Sequence, residues 1–121
     1  MDTETAVKEA LSVEGAIGAA LVDYESGMCL EASGGGHGFD LEVAAAANTE
    51  VVRAKVRALG TIGLDDRVED ILITLGEQYH IIRLLEQSSG SLFLYMALDR
   101  QRGNLAMARH KLRKIDGELD V

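Results

Sequence analysis

The chain has 121 residues, 47% of them hydrophobic but only 4% aromatic, and a formal net charge of −8. This length predicts one domain over residues 1–121, and the acidic balance argues against nucleic-acid binding, which relies on excess Lys and Arg. A single cysteine, Cys29, excludes an internal disulfide and a multi-cysteine metal site. The longest apolar stretch, 16–22, is too short to span a bilayer, so we expect a cytoplasmic protein without membrane insertion.

The first part of the chain predicts a helix and a hairpin. Residues 3–13 carry apolar side chains at three- and four-residue spacing, which predicts a short amphipathic helix. The apolar run 16–22 predicts a strand, and residues 23–27 predict a turn in which Gly27 suits a positive φ. Residues 28–33 predict a half-exposed strand, which we expect at the edge of the sheet.

A glycine-rich loop and a long helix come next. Residues 34–38 predict a connector, because they lack the Gly-Lys-Ser or Gly-Lys-Thr ending of a phosphate-binding P-loop. Asp40 is the expected N-cap of a helix that runs to about Leu59 and ends at Gly60 and Gly63. One stripe of this helix is mainly apolar: Leu41, Ala45, Asn48, Val52, Val56 and Leu59. Small side chains broaden it on the flanks: Ala44, Ala47, Val51 and Ala54.

Three apolar segments within residues 68–98 predict a three-stranded meander. They cover 71–73, 81–85 and 92–98, and short polar turns separate them. Apolar side chains stand at both odd and even positions, so both faces of the sheet need cover. The helices before and after the meander would supply that cover.

The last segment predicts a helix that begins at an Asp99 cap. Gly103 would weaken its first turns by about 1 kcal/mol relative to alanine. The helix has one predicted buried stripe: Leu105, Ala108, Leu112, Ile115 and Leu119. The order helix, two strands, helix, three strands, helix predicts an α/β (α+β) fold, a three-layer αβα sandwich around a five-stranded antiparallel sheet with profilin-like architecture.

Charged and titratable side chains indicate neither a metal nor a cofactor site. Residues 100–114 hold six basic and no acidic side chains, which favours a solvated helix face over a docking surface for an acidic partner or phosphate. His37, His80 and His110 lack metal-ligand spacing, and His80 fits a hydrogen-bonded structural histidine in an apolar strand.

No catalytic constellation is visible either. Cys29 shares a predicted strand face with Glu31 and Ser33, and a nucleophilic pair would need His37 or His80 beside it, which nothing in the sequence supports. The acidic residues that precede and open the meander fit solubilising loop charges: Asp65, Asp66, Glu69 and Asp70. We therefore expect a protein that is not an enzyme.

The first strand of the meander presents an unprotected sheet edge. A sequential meander makes it the terminal strand, and it carries no charge, proline or bulge signal that would block pairing. The small apolar side chains of the long helix also exceed what one sheet face can bury. We predict a homodimer joined edge to edge across a two-fold axis, with an interface at Ala47, Val51, Ile71, Leu72, Ile73 and Thr74.

The order of elements resembles the roadblock family of dynein light chains and their bacterial relatives. The resemblance covers nearly the whole chain, and its most recognisable pieces are the turn from Asp23 to Gly27 and the run Asn104, Leu105, Ala106, Met107, Ala108, Arg109. It implies dimerisation through the long helix and the first meander strand. It also implies a non-catalytic module that binds and regulates a Ras-like small GTPase, as activator or scaffold.

The resemblance makes the exposed side of the long helix the partner surface. The candidate contacts are Glu50, Arg53, Ala54 and Arg57, and simple solvation of a helix flank explains the same residues equally well. Arg53 or Arg57 could serve as an arginine finger. Members of this family are not generally thought to use one, so we expect neither to be catalytic.

Two other function classes stay open. A small-molecule or signal-sensing module of the PAS or profilin type has the same layered architecture. Two Phe, three Tyr and no Trp offer such a module little to line a ligand pocket. An enzyme that uses Cys29 has the least support, and a pull-down with nucleotide-loaded GTPases would discriminate among these classes.

Overall fold

The computed structural model describes residues 1–36, 39–86 and 90–120, and its elements follow the predicted order. In these ranges the helices are α1 (Thr3–Leu11), α2 (Leu41–Thr61) and α3 (Leu105–Glu118). The strands are β1 (Ala16–Asp23), β2 (Met28–Gly34), β3 (Asp70–Thr74), β4 (Gln78–Leu84) and β5 (Leu92–Asp99). None of these helices combines the length and the apolar character that crossing a bilayer requires.

The strands form one antiparallel sheet in the order β2-β1-β5-β4-β3. Residues 93–98 of β5 are buried in succession, because both faces of this central strand are covered. α1 and α3 pack on one face and α2 packs on the other, which gives two core clusters separated by the sheet. The predicted three-layer αβα architecture and the β3-β4-β5 meander are confirmed.

The β1–β2 hairpin has the predicted turn. Gly27 has a φ of 79°, a left-handed conformation that glycine adopts without strain. The Asp23 carboxylate accepts hydrogen bonds from the backbone N–H of Glu25 (3.0 Å) and from Ser26 Oγ (3.1 Å), which closes the turn. β2 is an edge strand, as predicted, and its side chains are half-buried or exposed throughout.

A β-bulge in this hairpin overturns one prediction. The register shifts between Leu21 and Val22, so that Leu21 pairs with Glu31 whereas Val22 pairs with Cys29. Cys29 packs with the α2-side core cluster, and Glu31 Oε1 lies 3.4 Å from Thr3 Oγ1 on α1. The prediction that Cys29 and Glu31 share a strand face is therefore wrong, because the extra residue of the bulge reverses the faces beyond it.

α2 begins as predicted but ends later. The Asp40 side chain accepts a hydrogen bond from the backbone N–H of Val43 at 3.2 Å, so Asp40 is the N-cap. The helix continues to Thr61 with Gly60 inside it, and Gly63 follows with a φ of 68°. Gly60 does not end the helix, since a helical glycine costs only about 1 kcal/mol relative to alanine.

The predicted apolar stripe of α2 is buried only over the first part of the helix. The buried residues are Leu41, Ala45, Asn48, Thr49 and Val52. Val56 is 42% exposed, and Leu59 is half-buried. The C-terminal turns of α2 therefore expose apolar surface that the sheet of one chain leaves uncovered.

α3 begins later than predicted. Its N-cap is Asn104, whose side chain accepts a hydrogen bond from the backbone N–H of Met107 at 3.0 Å. The predicted Asp99 cap is wrong, because the Asp99 carboxylate accepts from the N–H groups of Gln101 and Arg102 in the preceding turn. The predicted stripe of α3 is confirmed, with the side chains of Ala108, Leu112, Ile115 and Leu119 buried.

Gly103 lies close to the end of β5 and to the turn at Gly15 that precedes β1. A Cβ at Gly103 would lie 2.5 Å from the side chain of Leu98, and a Cβ at Gly15 would lie 2.6 Å from Gly103 N. Both distances are far shorter than a real Cβ contact. Gly103 is therefore a packing residue that precedes the helix, rather than a weak point in its first turns.

Candidate functional site

β3 is an open edge of the sheet. It pairs with β4 over its whole length in one continuous register. Hydrogen bonds from Leu75 N to Gln78 O and from Leu84 N to Glu69 O indicate that the odd-numbered residues of β3 bond to β4. Backbone groups alternate in direction along a strand, so those of the even-numbered residues point away from the sheet. These are the N–H and C=O groups of Asp70, Leu72 and Thr74.

The side chains of β3 are apolar on the α2 face, and Leu72 is the apolar side chain on the other face. Ile71 and Ile73 are half-buried against the α2-side core cluster. Leu72 points to the opposite face and is 40% exposed, and Thr74 is exposed on the same side. The four predicted interface residues of the meander therefore lie together along the open strand.

The flank of α2 that looks toward β3 carries small apolar side chains. Lys55 on this flank lines one cleft together with Asp70 at the start of β3. Helical spacing puts Val51 on the same flank and Ala47 at its outer border. Ala47 is exposed and Val51 is 37% exposed. The flank of α2 that exposes Ala47 and Val51 thus faces the side of the sheet on which β3 lies.

The opposite flank of α2 carries the charged residues of the predicted partner surface. Arg53 Nε donates to Tyr24 O (2.7 Å), its Nη2 donates to Glu25 O (2.6 Å), and its Nη1 lies 3.1 Å from Glu50 Oε1. Arg53 therefore links the β1–β2 turn to α2 through its guanidinium. The other predicted contacts are exposed: Glu50, Ala54 and Arg57.

Half of the basic residues in 100–114 make defined contacts. Arg109 forms two hydrogen bonds to the Asp70 carboxylate, at 3.0 and 3.1 Å. Lys111 Nζ lies 2.7 Å from Glu9 Oε2 on α1, and Arg100 donates to a backbone C=O at the end of β3. Asp70 is thus an ion-pair partner rather than the solubilising charge predicted, and the basic segment is only partly a solvated face.

Three side chains on the α2 face of the sheet are linked by hydrogen bonds: Tyr95, His80 and Gln78. The hydroxyl of the fully buried Tyr95 lies 3.2 Å from His80 Nδ1, and His80 Nε2 lies 2.8 Å from Gln78 Oε1. Burial lowers the pKa of His80 and raises the pKa of Tyr95 to about 12. The prediction of a structural, hydrogen-bonded His80 is confirmed, and its partner Tyr95 was not predicted.

The sequence also missed a buried ion pair. Arg83 Nε donates to Asp116 Oδ2 at 3.1 Å, and the side chains of these residues are only 7% and 4% exposed. The other oxygen, Asp116 Oδ1, accepts from the backbone N–H of Glu86 at 3.1 Å. This pair joins the end of β4 to the last turns of α3. Its only sequence signal is an arginine inside an otherwise apolar strand.

Within the described residues, Cys29 and His80 form hydrogen bonds to different partners. Cys29 Sγ donates to Glu31 O at 3.4 Å, and burial raises the pKa of the thiol, which disfavours a nucleophilic thiolate. His110 is exposed on α3, and His37 lies outside the described residues. Across the ranges that the structure describes, no group of three or more His, Cys, Asp or Glu side chains could hold a metal ion.

The described part of the glycine loop is conformationally constrained. Gly34 and Gly35 have φ values of 88° and 86°. A Cβ at Gly34 would also lie 2.7 Å from Ile17 O. These two glycines are therefore required by the backbone path from β2 toward α2, beyond the connector role predicted for the loop.

The comparisons with known proteins identify the fold. No protein-family model matches the sequence, and no curated protein matches it. Among solved structures, the chain is similar to a Roadblock/LC7 domain from Streptomyces avermitilis, with a TM-score of 0.77, 15% identity, and coverage of 98% of this chain and 94% of that one. It is also similar to MglB from Myxococcus xanthus, with a TM-score of 0.75, 17% identity, and coverage of 96% and 86%.

A third similar structure is an MglB with a tetrameric arrangement. Its TM-score is 0.77 at 15% identity, and the match covers 94% of this chain and 82% of that one. The TM-scores show a likeness in three-dimensional structure, and at identities this low the likeness concerns the fold alone. The resemblance predicted from the sequence is confirmed for the fold: the chain has the roadblock fold.

Proposed function

We propose that residues 1–121 act as one non-catalytic, homodimeric module that binds and regulates a Ras-like small GTPase. The observation that carries the proposal is the open β3 edge beside the exposed apolar flank of α2. An unpaired edge flanked by apolar side chains favours association with another chain. The roadblock fold and the sequence resemblance supply the class of partner.

The dimer would form by antiparallel pairing of β3 with its copy. The outward N–H and C=O groups belong to Asp70, Leu72 and Thr74. A pairing register centred on Leu72 lets all three residues form backbone hydrogen bonds to the second copy. Asp70 would then pair with Thr74 of the second copy, and Leu72 with its own equivalent. This arrangement brings the flank that carries Ala47 and Val51 toward the partner helix. Small side chains at those positions would let the two helices pack closely.

The GTPase would bind the part of α2 that such a dimer leaves accessible. Pairing through β3 uses the flank that carries Val51, so the outward face and the opposite flank stay exposed. Glu50, Ala54 and Arg57 are the proposed contacts there. Arg53 would position this surface indirectly, because its guanidinium holds the β1–β2 turn against α2.

Sedimentation equilibrium tests the dimer. Leu72→Arg places a charge on the proposed interface, and Leu30→Arg is a matched control on the opposite sheet edge, where Leu30 has a similar exposure of 45% against 40% for Leu72. We expect the parent chain and the Leu30→Arg variant to be dimers and the Leu72→Arg variant to be a monomer. A monomeric parent chain at every soluble concentration would overturn the proposed assembly.

A binding assay with small GTPases from the source organism tests the partner. Each GTPase is loaded with GDP or with a non-hydrolysable GTP analogue and applied to the immobilised chain. We expect nucleotide-dependent binding that Arg57→Glu weakens and that Lys8→Glu, an exposed site on α1 across the sheet from α2, leaves unchanged. Absence of binding in both nucleotide states would remove the proposed function and leave the dimer standing.

One observation supports the alternative function, a small-molecule or signal-sensing module. A cleft of about 400 Å³ lies under the C-terminal end of α2, and its aliphatic lining includes Val56, Leu59, Leu84 and Leu92. This volume is in the range of small-molecule sites, and Tyr24 is the aromatic side chain that lines it. A thermal-shift screen with small apolar ligands would support this reading if one stabilised the chain and Leu84→Arg abolished the effect.

A further inference from the structure

A groove between the end of α1 and the start of α3 lies on the layer opposite α2. It has a volume of about 360 Å³, and the side chains that line it are of mixed character: Ser12, Val13, Glu14, Arg102, Asn104, Met107, His110 and Lys111. The groove therefore lies across the sheet from α2, and none of its lining residues belongs to β3 or α2. An inference about it does not depend on the proposed dimer or GTPase.

The rim of the groove at Arg102 and the adjoining face of α3 carry positive charge on a strongly acidic chain, whereas inside the groove Glu14 is acidic and Lys111 is paired with Glu9. Arg102, Arg113 and Lys114 are exposed, and within the described residues they form no ion pair. Helical spacing puts His110, Arg113 and Lys114 on the solvent side of α3, continuous with the groove. With a net charge of −8 for the whole chain, this surface is the place where an acidic ligand meets attraction instead of repulsion.

An apolar contact point lies inside this basic surface. Met107 is 68% exposed, the largest exposed fraction among the large hydrophobic side chains described. Val13 borders the same groove and is only half-buried. A methionine side chain adapts its shape to a bound apolar group, which makes it a frequent contact residue on binding surfaces.

The shape of the groove favours a peptide over a membrane. A flat bilayer cannot enter a concave groove, whereas an extended peptide segment can lie in one. We propose that the α1–α3 groove docks an acidic peptide segment of a partner protein. Its carboxylates would contact Arg102, Arg113 and Lys114, and an apolar side chain would contact Met107.

The test uses amide chemical-shift mapping of the full chain with a Glu-rich peptide that has a central Leu-Leu pair. This readout detects millimolar affinities, so a weak probe suffices. We expect shifts at Val13, Met107 and His110, and weaker binding when Ala-Ala replaces Leu-Leu. The triple variant Arg102→Glu, Arg113→Glu, Lys114→Glu should weaken binding about tenfold or more, whereas the charge-reversal control Lys55→Glu, across the sheet on α2, should change it by less than about twofold.

Met107→Ser provides a second readout that changes no charge. It should weaken binding about threefold, and because Met107 is exposed its unfolding transition should stay that of the parent chain. Three outcomes would overturn the proposal: no shifts at the groove, equal binding by the triple variant, or equal affinity for phosphatidylserine vesicles. Concentration-dependent shifts at the groove without peptide would also overturn it, because a second copy would then be the occupant.

Discussion

Asp116→Ala should be among the most destabilising single substitutions in the layer between α3 and the sheet. The substitution removes the acceptor of two hydrogen bonds, from Arg83 Nε and from the backbone N–H of Glu86, both at 3.1 Å. The Arg83 guanidinium would then stay buried, with only 7% of its side chain exposed. Glu86 Oε1, at 3.6 Å from Arg83 Nη2, would be its remaining ion-pair partner.

The magnitude follows from the burial of the pair. Removing one partner of a buried ion pair costs about 3–5 kcal/mol, because the other charge is left uncompensated. Glu86 is 34% exposed and offsets part of this penalty, so we expect a loss of about 2–4 kcal/mol in the free energy of unfolding. A domain of this size has a total stability of about 5–15 kcal/mol, so the loss should lower the melting temperature by about 10 °C.

Urea titration at one fixed protein concentration measures the change, since dimerisation would make the stability depend on concentration. Arg109→Ala is the control, because it breaks the Asp70 pair, in which the Arg109 side chain is 41% exposed, and should cost at most about 1 kcal/mol. The double variant Arg83→Met, Asp116→Leu should recover most of the loss. Equal losses in Asp116→Ala and Arg109→Ala would refute the argument from burial.

Three further predictions concern packing, the hairpin turn and pH. Gly103→Ala should cost about 2 kcal/mol or more by urea titration because its Cβ would clash with Leu98, whereas Gly60→Ala, in open helix, should gain about 0.5 kcal/mol. Arg53→Ala should speed amide hydrogen exchange in the β1–β2 turn, while Arg57→Ala should not. The raised pKa of Tyr95, about 12, favours the protonated phenol in the fold. The stabilisation from this protonated phenol is complete below pH 10 and is lost as the pH rises from 10 toward 12. At about pH 11 the free energy of unfolding of the parent chain should therefore have fallen by about 1 kcal/mol more than that of Tyr95→Phe.

Patterns that depend on neighbouring residues were predictable. The α3 stripe follows from the three- and four-residue spacing of its apolar side chains, and the packed face confirms it. The turn at Gly27 follows from local backbone chemistry. The edge position of β3 follows from the short turns of the meander, since strands joined by such turns lie side by side in chain order.

Features that depend on distant contacts were not predictable. Asp99 and Asn104 are both good N-cap residues, and the choice between them depends on the packing of Gly103 against Leu98 and Gly15. The engagement of Arg53 depends on carbonyl groups that lie almost thirty residues earlier in the chain. The sequence of β2 likewise cannot reveal its bulge, because the extra residue is defined only by the pairing of β2 with β1.

The two edges of the sheet differ in a way that bears on assembly. The β-bulge between β1 and β2 interrupts the regular spacing of the β2 edge, and bulges at an edge hinder pairing with another chain. β3 has a continuous register and apolar side chains, so the two edges are not equivalent. The proposed pairing of β3 with its own copy would close about a two-fold axis and would leave a bulged β2 at both ends of the extended sheet. A regular β2 would allow further copies to add, so the bulge favours a closed dimer over a fibre.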